Sequence, residues 1–356
     1  MGKEILLLLV MFWNLENFFD PFEGNSHGRS RTDADTVRYE IPVEEPFTPN
    51  GEKFWTWKKF SRKRDDIART VALVKERYGL FPAIIGLCEV ENRFVLQQLT
   101  QNTILAKLDY GIVHRDSPDK RGIDAALLYR KGIFKPLKVE YYPVNMEKTD
   151  RVGAQILHTR EIVHVKGVLH NLDTLHCLVV HWPSKLGGER ESFGRRRAAS
   201  ERLRHVTDSI LSDNQKANII VMGDFNDSPG SPSLANIDNM VNMSEKERLG
   251  VPRKIVAGEP HRWYTYKYKE SWERIDHFLI SDHLWRDSGS GGSGEPELKW
   301  IFCTNGSSSV FSHNFLLEED KLYLGYKIRR SLSGPRYKGG VSDHLPIVLK
   351  VWGYEY

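Results

Sequence analysis

Cysteine and long apolar stretches are both scarce in this 356-residue sequence. The three cysteines, Cys88, Cys177 and Cys303, are an odd and sparse set, and two of them lie in apolar runs that are typical of core strands. This pattern gives no indication of a disulfide framework or of a cysteine metal site. No apolar run reaches the roughly 18 residues that a transmembrane helix needs, so we expect the protein as given to be soluble.

A strong charge of either sign is also absent. The formal net charge of +4 permits an anionic substrate but falls short of the basic surface of a dedicated nucleic-acid coat protein. Lys3 and the apolar run Ile5 to Trp13 are similar to the start of a secretion signal, but no small-residue cleavage site follows. We therefore expect a cytoplasmic protein as given, while a longer precursor with an export signal stays compatible with the sequence.

Apolar patterning predicts an α/β protein. The nearly uninterrupted run Glu4 to Trp13 predicts a strand that is buried on both faces and ends at Asn14. We expect one domain over 1–356, with loop insertions at about 20–59 and 286–297. The remaining predicted elements are helices at Ser61–Tyr78, Val90–Thr100 and Arg195–Leu211, strands at Ala83–Leu87, Ala125–Tyr129, Trp263–Tyr268 and Val348–Trp352, and a hairpin of Val163–Val168 with Thr174–Val180.

The stretch Asn218 to Ser228, NIIVMGDFNDS, has the pattern of a buried strand that breaks at Gly223 into a functional loop. Alternation directs Asp224 and Asn226 to one side and Phe225 into the core. A carboxylate beside a carboxamide can orient a water molecule and accept its proton. An Asx turn that caps a loop explains the same residues, so this motif alone does not decide between structure and function.

Six apolar runs deliver polar residues at or near their ends, and such ends gather at one edge of layered α/β folds. Taken singly, each residue has a structural explanation, such as a helix cap, a core histidine or an ion pair. Together they supply carboxylate, amide and imidazole groups without a serine or cysteine nucleophile beside a base. This set suits Mg²⁺ and hydrolysis at phosphorus by water. The residues are Asn14, Glu89, His181, Asp224, Asn226, Asp276, Asp343 and His344.

The ordered motifs resemble those of the endonuclease/exonuclease/phosphatase superfamily, and most closely a bacterial branch of it. The resemblance spans nearly the whole chain and rests on WNLEN, LCEVEN, RGIDAALLY, VVHWPSK, GDFND, RIDHFLIS and SDHLPI. It implies a four-layer α/β/β/α sandwich, with two packed mixed β-sheets flanked by helices, and a divalent metal, Mg²⁺ or Mn²⁺.

The resemblance also implies residue roles. Glu89 would be the principal metal ligand, Asn14 would support the metal or phosphate, and Asp343 would complete the metal site. His181 would bind the phosphate or protonate the leaving oxygen, and Asp224 with Asn226 would activate and hold the water. Asp276 would orient His344, which would contact the phosphate or act as the base, so the choice of base between Asp224 and His344 stays open.

Two features of the motifs are less clear from the sequence. An acidic partner that orients His181 is not evident, and Asp116 and Asp124 are the candidates. Glu91 and Asn92 belong to the branch motif, yet helix capping explains them.

The leading hypothesis for the substrate is nucleic acid, hydrolysed by a monomer. Substrate contacts are expected from Arg121, Lys185, Trp263 and Tyr266, and Trp55 and Trp57 could face a substrate or fold back onto the core. A rival is a phosphatase or phospholipase-type phosphodiesterase acting on inositol phosphates, nucleotides or sphingolipid head groups. A binding module that has lost catalysis is the remaining alternative.

Overall fold

The computed structural model describes residues 3–22, 46–119, 121–150, 153–170, 174–185, 188–248, 262–287, 301–323 and 325–355. Strands and helices are numbered below in chain order. Of the two predicted insertions, most of 20–59 and nearly all of 286–297 lie outside the described residues.

The first large sheet has seven strands in the order β15-β21-β1-β2-β4-β3, and β16 also pairs with β21. The pairing of β1 with β2 is parallel, and β21 runs antiparallel to β1. The strands are β1 (Lys3–Phe18), β2 (Ile84–Val90), β3 (Tyr110–His114), β4 (Asp124–Arg130), β15 (Ile301–Phe302), β16 (Ser308–Val310) and β21 (Ile347–Glu355).

The second large sheet has six strands in the order β11-β14-β10-β9-β8-β5. Here β9 and β10 are the parallel pair, and β14 runs antiparallel to β10. The strands are β5 (Phe134–Tyr142), β8 (Ile162–Leu169), β9 (Thr174–His181), β10 (Asn218–Asp224), β11 (Met240–Asn242) and β14 (Asp276–Ser281). The antiparallel pairing of β8 with β9 confirms the predicted hairpin.

Four two-stranded sheets and the helices complete the described structure. The hairpins are β6 (Asn145–Asp150) with β7 (Gly153–His158), β12 (Tyr266–Tyr268) with β13 (Ser271–Glu273), β17 (Leu317–Glu319) with β18 (Tyr326–Ile328), and β19 (Leu332–Ser333) with β20 (Arg336–Tyr337). The α-helices are α1 (Trp57–Tyr78), α2 (Arg93–Gln101), α3 (Glu189–Asp213), α4 (Pro232–Ala235) and α5 (Met243–Arg248). Short 3₁₀ helices span Ile104–Leu108, Asp282–Leu284 and Asn314–Leu316.

Alternating side chains of β10 show the layering. Ile220 and Met222 belong to the core between the two sheets, whereas Ile219 and Val221 pack in a second core with α3. On the other side, α1 buries Ile67 and its apolar neighbours against the first sheet. The order of layers is therefore helix, sheet, sheet, helix, which confirms the predicted four-layer sandwich.

Glycine permits two close approaches in these sheets. A Cβ on Gly86 of β2 would lie 2.6 Å from Met222 Sδ in the facing sheet. A Cβ on Gly223 would lie 2.3 Å from the carbonyl oxygen of Val180 in the neighbouring strand. Gly223 therefore does not break the strand as predicted. It lies within β10, because its lack of a side chain lets β9 approach there.

Other predicted boundaries were also wrong. β1 does not end at Asn14 but continues to Phe18 through an irregular segment in which Glu16 and Asn17 have φ of 46° and 57°. Helix α2 begins at Arg93 rather than Val90, because Asn92 caps it by accepting a hydrogen bond from Val95 N. Helix α1 begins at Trp57, ahead of the predicted Ser61, and it ends as predicted before Gly79, whose φ is 83°.

None of the helices in the described part of the chain combines the length and the apolar composition that a membrane span requires.

The topology collects strand ends at one edge of the molecule. Parallel strands β1 and β2 end on the same side of the first sheet, and β9 and β10 end together in the second. Antiparallel neighbours β14 and β21 begin where these strands end, since Asp276 pairs with Asp224 and Ile347 pairs with Phe12. The polar residues predicted from the motifs lie at this edge.

Candidate active site

Asp224, the last residue of β10, lies at the centre of the cluster. Its Oδ2 accepts a hydrogen bond from Asn14 Nδ2 (3.0 Å), and its Oδ1 accepts one from the backbone N of Asn226 (2.8 Å). His181 Nε2 and His344 Nε2 lie 3.7 and 3.8 Å from Oδ2. Burial raises the pKa of Asp224 to about 7, and the nearby charge of His344 opposes this shift. A carboxylate in this position can accept a proton near neutral pH.

His344 is held by Asp276. The ring Nδ1 of His344 lies 2.9 Å from Asp276 Oδ2 and 3.2 Å from Oδ1, and Trp13 Nε1 donates to the backbone carbonyl of His344. Burial alone would lower the pKa of His344, but the carboxylates of Asp276 and Asp224 outweigh it and raise the pKa well above its usual value. The two carboxylates therefore favour the charged form of the imidazole.

His181, at the end of β9, has a different environment. Burial, helped by the positive charges of Arg160 and Arg121, lowers the pKa of His181 well below its usual value. Its Nδ1 is buried and has no hydrogen-bond partner among the described residues. Neither predicted acidic partner orients it. Asp124 instead binds His114 Nε2 at 3.0 Å, and Asp116 lies 4.0 Å from His114 Nδ1.

Glu89 and Asp343 each present one carboxylate oxygen to this centre. Glu89 Oε2 accepts a hydrogen bond from Asn17 N (2.9 Å), while its Oε1 lies 3.9 Å from His181 Nε2. Asp343 Oδ2 accepts one from Arg330 Nη2 (2.9 Å), while its Oδ1 lies 4.0 Å from His344 Nε2. We call Glu89 Oε1 and Asp343 Oδ1, which face the cluster, the inner oxygens, and Glu89 Oε2 and Asp343 Oδ2 the outer oxygens. Within the described chain, neither inner oxygen has a hydrogen-bond donor. Each can therefore serve as a metal ligand.

A family model described as Endonuclease/Exonuclease/phosphatase family matches residues 9–352. The chain belongs to the endonuclease/exonuclease/phosphatase family. This assignment confirms the resemblance of its motifs, and the family makes the chain a phosphoric ester hydrolase. A search of curated proteins gave no match.

Solved structures with the fold of this family resemble the chain over nearly its full length. A family protein from Bacteroides thetaiotaomicron is 16% identical, with a TM-score of 0.52 and full coverage of both chains. The human Nocturnin catalytic domain with a bound sulfate anion is 16% identical, with a TM-score of 0.53 and coverage of 99% of this chain and 98% of that one. A humanized D. rerio TDP2 is 15% identical, with a TM-score of 0.51 and coverage of 97% and 98%. At these identities the likeness shows the fold alone.

Members of the family generally depend on a divalent metal, and the structure offers groups that could hold one. Ligand atoms of Asp224, Asp276 and His344 lie within 4.8 Å of one another, as do those of His114, Asp116 and Asp124. In the first group, however, His344 Nδ1 is already bonded to Asp276. Outside these groups, Glu89 Oε1 and Asp343 Oδ1 are carboxylate oxygens, the type of ligand that a hard cation prefers.

Asn226 is placed differently from its prediction. Its φ is 50°, so strand alternation does not govern its direction, and its Nδ2 donates to the carbonyl oxygen of Trp182 (2.9 Å). The same carbonyl accepts a hydrogen bond from buried Arg160, which also pairs with Asp119 (2.9 Å). Phe225 faces the core against Trp182, as predicted.

The predicted substrate-binding residues separate into two groups. The ring of Tyr266 lies 5.0 Å from that of His344, and exposed Arg121 acts on His181 electrostatically. By contrast, Lys185 pairs with Glu273 (2.9 Å). The guanidinium carbon of buried Arg274 lies over the indole ring of Trp263, 5.8 Å from the ring centroid.

The two aromatic residues of the early loop also differ. Trp55 is fully buried and donates to the carbonyl of Phe19, so it belongs to the core. Trp57 begins α1 and is 44% exposed.

Lys63, Glu16 and Arg330 were missed by the sequence interpretation. Lys63 Nζ donates to the carbonyl of Glu16 and to Ser331 Oγ, both at 2.5 Å. Glu16 Oε1 accepts from Arg330 Nε (3.1 Å). Burial raises the pKa of Glu16 to about 7 and lowers the pKa of Lys63 to about 8. One signal was present in the sequence, because Lys63 lies at helical spacing among the buried residues Phe60 and Ile67.

Proposed function

We propose that this chain is a divalent-metal-dependent phosphodiester hydrolase that cleaves nucleic acid by attack of an activated water on phosphorus. Family membership supports phosphoric ester hydrolysis. The observation that carries the proposal is the position of Asp224, whose Oδ2 lies within 4 Å of two imidazole rings with different charge states. A base, a cation and a neutral donor are thereby gathered around one volume where a phosphate group can bind.

Glu89 and Asp343 are the residues that we propose as metal ligands. Bound Mg²⁺ or Mn²⁺ supplies charge stabilisation at the phosphate oxygens and lowers the pKa of a bound water. Asn14 was predicted to support the metal or the phosphate, but its amide donates to Asp224 and its Oδ1 accepts from Glu16 N (2.9 Å). We therefore assign Asn14 the orientation of Asp224.

Asp224 is the base in this proposal. The water oxygen forms a bond to phosphorus, its proton passes to Asp224, and the bond from phosphorus to the leaving oxygen breaks. The leaving oxygen takes a proton from solvent or from a neighbouring acid. Asn226 N holds Asp224 Oδ1, and Oδ2, which accepts one hydrogen bond from Asn14 Nδ2, has a second lone pair that can accept from the water.

The two histidines then have distinct roles. His344, kept cationic by Asp276, neutralises charge on the phosphate oxygens and is a poor base while protonated. His181 is neutral, so it has no proton to give as an acid, and we assign it the binding of a phosphate oxygen through an N–H group.

Nucleic acid is the proposed substrate because Tyr266 stands beside His344, where a base can stack, and Arg121 is exposed near His181. One observation favours a smaller ester as the second candidate. Lys185 and Trp263 are engaged with Glu273 and Arg274, which reduces the cationic and aromatic surface available to a long polymer.

The test is hydrolysis by purified protein with Mg²⁺ or Mn²⁺, with and without EDTA. The substrates are plasmid DNA, single-stranded DNA and RNA, a panel of phosphomonoesters including inositol phosphates and nucleotides, and sphingomyelin. Cleavage of nucleic acid that stops with EDTA supports the proposal. Activity on monoesters or lipid head groups alone supports the second candidate. No turnover on any substrate contradicts both and leaves the binding module.

A further inference from the structure

A fully buried lysine lies directly behind the candidate active site. Lys63 of helix α1 has no exposed surface, and its ammonium group donates to the carbonyl of Glu16 and to Ser331 Oγ. Ser331 Oγ in turn donates to Val341 O (2.9 Å), two residues before Asp343. A buried ammonium persists only where charge and hydrogen bonds compensate it. Lys63 therefore ties helix α1 to the end of β1, where Asn17 contacts Glu89, and through Ser331 to the segment that carries Asp343.

Glu16 is the anion that completes this network. Its carboxylate accepts hydrogen bonds from Ser331 N (2.6 Å) and Arg330 Nε (3.1 Å), and it is only 3% exposed. Its backbone has a φ of 46°, which is uncommon for a residue with a side chain. Such a conformation persists when the surrounding contacts determine it, and it turns the next residue, Asn17, toward Glu89.

The network reaches both proposed ligands in the same way. Asn17 N holds the outer oxygen of Glu89, and Arg330 Nη2 holds the outer oxygen of Asp343, each at 2.9 Å. The inner oxygens then face the centre, toward His181 and His344. Fixing one oxygen of a carboxylate decides where the other can donate to a metal.

We propose that Lys63, Glu16 and Arg330 are positioning residues that orient the carboxylates of Glu89 and Asp343 toward a divalent cation. The inference rests on the metal site of the proposed function. When ionised, Lys63, Glu16 and Arg330 together carry one net positive charge, which the carboxylate of Asp343 balances before a cation binds.

A positioning role and simple electrostatics predict opposite changes in metal affinity when Arg330 is replaced. Removing a positive charge beside Asp343 would strengthen the binding of a metal cation if only charge mattered. If Arg330 positions Asp343, its removal weakens binding instead. The Arg330 side chain is 46% exposed, so its replacement is compatible with folding.

The experiment measures Mn²⁺ binding by the resonance of free Mn²⁺ in electron paramagnetic resonance, without substrate. Arg330→Met is expected to raise the Kd by on the order of 10–100-fold. Arg330→Lys should restore part of the lost Mn²⁺ affinity, because an ammonium group keeps the positive charge but cannot hydrogen-bond Glu16 and Asp343 through one planar guanidinium. Arg329→Met is the matched control, since the charge of Arg329 acts on Asp66 and Tyr337, and its Kd should equal that of the wild type. An unchanged or lower Kd for Arg330→Met overturns the inference.

The buried pair is tested by the double variant Lys63→Met with Glu16→Gln, which removes both charges and avoids leaving one uncompensated. Circular dichroism and a cooperative unfolding transition confirm that it folds. The double variant is expected to raise the Mn²⁺ Kd at least about tenfold. A wild-type Kd in the folded double variant contradicts the role given to Lys63 and Glu16.

Glu89→Gln separates this inference from the proposed function. If Glu89→Gln weakens Mn²⁺ binding and Arg330→Met does not, the metal site stands and the positioning network is wrong. If wild-type protein binds no Mn²⁺, or Glu89→Gln binds it as well as the wild type, the proposed metal site is wrong and the inference fails with it.

Discussion

Asp224 Oδ2 lies 3.8 Å from Nε2 of His344, and the two groups are in opposite charge states when the carboxylate is ionised. Asp276 holds His344 from the other side of the ring. Because the raised pKa of His344 favours its protonated form, we propose Asp224, and not His344, as the group that accepts a proton from water. The roles of Asp224 and His344 therefore depend on each other.

Asp224→Asn should reduce kcat by on the order of 10²–10⁴-fold, because an amide cannot accept the proton of the attacking water. KM should change little, since the side chain keeps its size. Steady-state kinetics on the substrate identified above measures both. Asp238→Asn, which alters an exposed carboxylate paired with Arg204, is the control and should retain wild-type rates. Comparable activity in the two variants would exclude Asp224 as the base.

Asp276→Asn should lower the pKa of His344, because the carboxylate stabilises the imidazolium and an amide does not. Titration of the His344 ring by NMR without metal should therefore show its midpoint at lower pH than in the wild type. The loss of kcat should be non-additive with that of His344→Ala, as expected for residues that act as a unit. Additive losses would show that the two side chains act independently.

Glu89→Gln should raise the Mg²⁺ concentration for half-maximal activity at least about tenfold, because a charged oxygen ligand is lost. Activity measured over a Mg²⁺ titration gives this value. Glu91→Gln is a matched control from the same motif, since Glu91 accepts a hydrogen bond from Asp20 N (2.7 Å) at the start of the loop. Equal Mg²⁺ requirements in the two variants would remove Glu89 from the metal site.

Gly223→Ala should lower the free energy of unfolding by about 1–3 kcal/mol, the usual cost of overpacking. The new Cβ would lie 2.3 Å from the carbonyl oxygen of Val180. Because this oxygen belongs to the backbone of β9, it cannot rotate away as the end of a flexible side chain could. Urea unfolding measures the change. Gly132→Ala has no atom within 4 Å of the added Cβ and should leave stability nearly unchanged. A stable Gly223→Ala would mean that β9 and β10 are more widely spaced than described.

His164 and His176 should make the protein less stable in acid. Their rings are hydrogen-bonded at 2.9 Å, and burial lowers the pKa of each from 6.5 to about 4. The unfolded chain therefore binds more protons between these values, so stability is full above pH 6.5 and falls as the pH drops toward 4. The variant His164→Phe with His176→Leu should lose less stability between pH 7.5 and 5, as measured by urea midpoints. The same loss in both proteins would contradict this.

Local patterns were sufficient for much of the fold. Apolar runs predicted the central strands, Gly79 predicted the end of α1, and Asn92 was correctly interpreted as a cap. These features depend on interactions between residues a few positions apart, which the order of residues specifies directly.

Details that depend on neighbouring chain segments were not predicted. Gly223 was taken for a strand break because the approach of Val180 cannot be read from its own stretch. Lys185 and Trp263 were expected to meet substrate, yet Glu273, 88 positions along the chain, engages Lys185, and Arg274 engages Trp263. The continuation of β1 past Asn14 likewise follows from contacts of Glu16 with Ser331.

The sequence by itself determined which polar residues lie at or near the ends of the central strands and, through its motifs, the family to which the chain belongs. Only the tertiary structure decided their distances, charge states and partners: that Asp276 holds His344, that Asp116 and Asp124 do not orient His181, and that Lys63 lies behind the site. The physical reason is that burial and charge act through space. A pKa or a hydrogen bond in this cluster depends on groups as many as 331 positions apart in the chain.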